Sequence, residues 1–104
     1  MTEIALFFAG ALLCNAIPHL AAGTRGEPFP TPFAKPHGVG LSSPPVNFFW
    51  GSLNLAIGVI LLSLHPLPDP ISLDSGVFAA GFLLIGAYTS YHFGKVRAGQ
   101  AMRG

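Results

Sequence analysis

NAIPHLAAGTRGEPFPTPFAKPHGVGLSSPPVNFFWG, Asn15 to Gly51, starts inside one apolar run and ends inside another. Seven of the ten prolines lie between Pro18 and Pro45. An interior proline removes a helical hydrogen bond and clashes with the preceding turn. It also pushes the residue before it toward extended geometry. Phe29-Pro30-Thr31-Pro32-Phe33 therefore reads as an extended connection, and the helix resumes at Ser43-Pro44-Pro45. Ser43 suits an N-cap and Pro44 the first helical position, where a missing N–H does no harm.

Working outward, the apolar runs on both sides reach the roughly 20 residues a helix needs to cross about 30 Å of hydrocarbon. They are Ile4 to about Ala22, Pro44 to Leu64 and Ser75 to about Phe93. Helix is the expected form, since a lone strand leaves its backbone groups unsatisfied in lipid. Asp74 is the expected cap of the third helix, and His65-Pro66-Leu67-Pro68-Asp69-Pro70 a short stiff linker. The fold class expected is all-α: a single integral membrane bundle, residues 1–104, of three transmembrane helices at about 4–22, 44–64 and 75–93. A long Pro/Gly-rich first loop (23–43) and a basic C-terminal tail (94–104) complete it. Glu3, with no Lys or Arg before the first apolar run, argues for a retained span over a cleaved leader.

Composition agrees. Charged residues make up 9% of the chain, against roughly 25% in soluble domains. A net charge of +1 and the lack of a basic run exclude a nucleic-acid partner. Cys14 is the single cysteine and has no internal disulfide partner. With three spans, the first loop and the tail share a side. Arg25, Lys35, Lys95, Arg97 and Arg103 all fall there, opposite Glu3, Asp69 and Asp74. The positive-inside tendency then puts the N-terminus outside and the loop and tail in the cytoplasm, in a bacterial inner membrane.

Asn15 and Asn54 are the polar residues inside the spans and read first as helix–helix glue, worth on the order of 1 kcal/mol each. Asn47, Gly51, Asn54 and Gly58 follow a 4-3-4 spacing, and Gly86, Ser90, Gly94 and Ala98 recur every fourth residue. Each pattern gives one small face suited to close helix packing. Pro18 frees the carbonyl of Cys14, so a kink is expected there, with His19 solvated at headgroup level. Trp50, Phe48, Phe49, Tyr88 and His92 read as interfacial residues.

His19, His37 and His92 share the loop side, but the usual metal-ligand spacings are missing, so no metal site is assigned. No motif indicates a cofactor, and no nucleophile elbow, phosphate loop or carboxylate pair is present. The loop is the unusual element, because two antiparallel helices need only about 2–8 linking residues. Phe29 and Phe33 are its expected apolar anchors, with Arg25 and Lys35 near lipid phosphates.

The expected function is a non-enzymatic accessory or assembly subunit of a larger membrane complex. Its partners would be the lipid bilayer and other membrane polypeptides, or further copies of itself. The alternative is a homo-oligomeric channel or small transporter with a polar path through Asn15, Asn54 and His19. A third reading is a lipid or quinone site under the loop using His19, Arg25, Lys35 and His92.

Overall fold

The computed structural model describes residues 1–103. It holds three helices, each long and apolar enough to cross a membrane: α1 (Thr2–Thr24), α2 (Pro44–Leu64) and α3 (Leu73–Arg103). Between α1 and α2 lie two short strands, β1 (Phe29–Pro30) and β2 (Leu41–Ser42), paired antiparallel with Phe29 opposite Ser42 and Pro30 opposite Leu41.

The helix ends follow from local chemistry. α1 runs through Pro18 without a break and stops in a Schellman turn. There the Glu27 N–H donates to the Ala22 carbonyl (2.9 Å) and that of Gly26 to Gly23 (3.2 Å). Gly26 takes the left-handed φ of 72° that this turn demands, where it lacks a Cβ to object. α2 begins at the Ser43 cap, whose hydroxyl accepts from the Val46 N–H at 3.4 Å, with Pro44 next in line. It ends at His65, held out of helical geometry (φ −132°, ψ 73°) ahead of Pro66.

Two expectations about α3 are corrected. Its cap is Ser72, whose hydroxyl accepts the Ser75 N–H at 3.1 Å, while Asp74 sits inside the first turn. A side chain three residues upstream of a free N–H reaches it, and one adjacent does not. The helix also does not end near Phe93. It continues through the basic segment to Arg103, because Lys, Arg, Ala, Gln and Met are good helix formers.

α1 is the central element. α2 and α3 each pack along it and hardly meet one another. Against α2, Gly58 faces Leu13, Gly51 faces Leu20, and Gly23 faces Phe48, so these two run antiparallel. Against α3, Gly81 faces Phe7, Gly10 faces Phe78 and Phe82, and Gly86 faces Cys14, so those two run parallel. A Cβ on Gly10 would overlap the Phe78 carbonyl oxygen and one on Gly81 that of Phe7, so the backbones of α1 and α3 touch there. The buried residues of α2 are Asn47, Gly51, Asn54 and Gly58. This up-down-up course brings the α1–α2 connection and the last third of α3 to one end of a molecule 48 Å long.

Candidate functional site

At that end a polar cluster joins the connection to all three helices. Its centre is Asn47, one turn into α2 and fully buried. The Asn47 amide nitrogen donates to the carbonyls of Phe29 (2.9 Å), Ser42 (3.2 Å) and Ser43 (3.2 Å). One side chain thus holds both strands and the start of its own helix. With the nitrogen committed to carbonyls, Oδ1 must be the atom facing His19, 2.7 Å from Nδ1. An amide oxygen only accepts, so His19 carries its proton on Nδ1.

His19 is itself 2% exposed. The expectation of a headgroup-level, solvated imidazole is therefore corrected. The ring is enclosed by Phe29, Trp50 and Phe93 at centroid distances of 5.5, 6.4 and 6.5 Å. Burial is tolerated because a partner waits 28 residues away. Trp50 contributes its ring to this wall, yet its indole nitrogen is the one buried side-chain polar atom without a partner among the described residues.

The connection is tied down internally as well. Thr31 is buried, and its hydroxyl meets that of Ser42 across the ladder while accepting the Phe33 N–H at 3.2 Å. The Gly38 N–H donates to the Thr31 carbonyl at 3.3 Å. From α3, His92 Nε2 donates to the Gly38 carbonyl at 2.8 Å, and its ring stacks on Tyr88 with 6° between planes. The tip of the connection is thus pinned to α3, and its base to α1 and α2.

The other candidate residues are dispersed. Deeper in the bundle, Asn15 Nδ2 donates to Asn54 Oδ1 at 3.1 Å, and Asn54 Nδ2 donates to the Trp50 carbonyl at 2.8 Å. Phe29 is half-buried between His19 and Phe93, whereas Phe33 is 62% exposed, its ring set edge-on to Trp50 at 5.0 Å. Arg25 is exposed and paired with Glu27 through Nε (3.2 Å) and Nη2 (3.3 Å). Those hydrogen bonds, then the charge of Arg25, hold the Glu27 carboxyl below the usual carboxylate range. Lys35 and His37 are exposed. His19, His37 and His92 do not converge: the first is held by Asn47 and the last by Gly38. Gly51 and Gly58 lie against α1, as does Gly86, whereas Ser90 is exposed and a Cβ on Gly94 would meet open space.

The sequence reading named Asn47 only as part of a stripe, and it missed Thr31, Ser42, Phe93 and the Gly10–Gly81 crossing. Asn47 stood beside Gly51 on a face already marked for packing, which was the available signal. Chemically the cluster is a clamp. Its hydrogen-bonding groups face one another, and among the described residues no three His, Cys, Asp or Glu side chains come together. Comparison with protein-family models, with curated proteins and with solved structures finds no match.

Proposed function

We propose that this chain is a three-span integral protein of a bacterial inner membrane and serves as a non-enzymatic accessory or assembly subunit of a larger membrane complex. Three helices of span length and very low charge support insertion. The N-terminus lies outside and the clamped connection in the cytoplasm. This orientation is supported by the placement of all five Lys/Arg in that connection or in residues 95–103.

The subunit reading rests on the uneven burial of α3. Among its described residues only Gly81 is buried, and Leu83, Leu84, Tyr88 and Tyr91 are exposed. A helix that touches one neighbour along one edge leaves most of its circumference for other helices or lipid. The polar side chains of the spans are meanwhile consumed inside the fold, Asn15 by Asn54 and His19 by Asn47. A polar path would need those groups to face a lumen. Here they face each other across the α1–α2 contact.

Extraction in a mild detergent, followed by measurement of particle mass and polypeptide content, tests the proposal. Other polypeptides in fixed ratio are the expected result. A symmetric particle built from this chain alone favours the channel reading, and a lone chain contradicts both.

A further inference from the structure

Two open hollows lie end to end along one side of α3. The upper, about 470 Å³, sits between the strands and the end of α3, walled by Pro28, Phe29, Leu41, Phe93 and Val96. Glu27, Arg97 and Gln100 stand on its rim, and Gly94 lies against it with no atom near where a Cβ would be. The lower, about 300 Å³, lies between Cys14, Ile17 and Pro18 of α1 and Gly86, Thr89 and Ser90 of α3. Phe29 and Phe93, with ring centroids 4.7 Å apart, line both. The lower hollow is effectively apolar, because Thr89 and Ser90 turn their hydroxyls back to the carbonyls of Gly86 (3.3 Å) and Ala87 (3.0 Å).

We propose that these two hollows together seat one anionic phospholipid, with its phosphate at Arg97 and Gln100 and an acyl chain running over the Phe29–Phe93 pair between them toward Gly86. The inference rests on the membrane reading above and adds a ligand to it. Length is the first argument. From Gly86 to Gln100 the helix rises about 21 Å, and one leaflet including its headgroups is about 20–22 Å thick. Charge is the second. Glu27 is neutralised by Arg25 at 3.2 Å, and Lys95 lies over the Tyr91 ring at 5.3 Å. Arg97 makes no ion pair among the described residues, although its charge also acts on Glu27 on the same rim, so a cation is available at the polar end of an apolar slot. The fourth-residue stripe of Gly86, Ser90 and Gly94 borders this groove.

The test uses purified full-length protein in neutral detergent, titrated with phosphatidylglycerol or phosphatidylcholine and read by native mass spectrometry. One phosphatidylglycerol should be retained per chain, in preference to phosphatidylcholine. Arg97→Gln should lower that preference about five-fold, the weight of a single interfacial cation. Gly94→Leu should sharply reduce retention by obstructing the upper hollow, while thermal unfolding stays unchanged because the new Cβ meets open space. Leu84→Ala, exposed, lining neither hollow and on the opposite side of α3 from Gly86, serves as the control. Equal retention of both lipids, or retention undiminished by Gly94→Leu, overturns the proposal. Carbonate washing of membranes separates the two readings. A chain in the washed pellet that holds no lipid defeats the groove alone. A chain released into the wash defeats the membrane reading and the groove with it.

Discussion

Asn47 is the side chain on which most of the loop depends, because three carbonyls and one imidazole converge on a single amide. Asn47→Asp keeps the shape and removes the donor, setting a carboxylate oxygen against backbone carbonyls. The expected loss exceeds the cost of about 1–3 kcal/mol for stranding a neutral buried polar group, because the group left unmatched is charged. It should appear as a lower unfolding temperature and faster proteolysis between Thr31 and Leu41, with the helices still intact. Trp50→Phe should cost less. The indole N–H has no partner to lose, so only ring packing against His19 and Phe33 is given up, and the loss by the same unfolding assay should stay below that of Asn47→Asp. Half of this cluster was legible beforehand. The 4-3-4 spacing of Asn47, Gly51, Asn54 and Gly58 is a local property of one helix, and those four are the buried residues of α2. The pairing of His19 with Asn47 is not local. It depends on how α1 and α2 rotate against each other, so a histidine beside a proline near a helix end was read as solvated.

Between elements, glycine position decides what a helix can approach. Gly81→Leu should prevent α3 from docking on α1, since even a Cβ there overlaps the Phe7 carbonyl. Gly94→Leu should leave the helix contacts intact, and near-ultraviolet circular dichroism of the two variants would distinguish them. The repeat of small residues in α3 gave no hint of this difference. Gly86 lies against Cys14, Gly94 borders a groove, and the tightest crossing uses Gly10 and Gly81, outside the repeat. A spacing rule finds a face without saying what covers it. Hydropathy had a similar limit at the end of α3. Lys95 and Arg97 end the apolar run, but backbone hydrogen bonds and favourable propensity carry the helix on to Arg103. The α1–α2 connection was legible as non-helical from its prolines, whereas its β1–β2 ladder, two residues on each side, is below what a period-two pattern can reveal.

For the whole molecule, the course of the chain follows from three apolar runs and two connections, all visible in the sequence. What the sequence could not supply was the asymmetry of the bundle, with α1 in the middle and α3 nearly uncovered. That asymmetry underlies the proposed role as a subunit. Leu84 lies on the uncovered surface, so Leu84→Trp, an apolar change that leaves the span insertable, should release partner polypeptides on extraction while the isolated chain keeps its helical circular dichroism. The central claim is the threading: three spans, with the clamped connection inside and the α2–α3 linker outside. It is tested most directly by single cysteines at two exposed positions, His37→Cys in the connection and Ile71→Cys in the linker, each in a Cys14→Ala background. Intact cells treated with an impermeant thiol reagent should label position 71 and leave position 37 unlabelled until the membrane is opened. Labelling of position 37 from outside, with position 71 protected, would contradict the account.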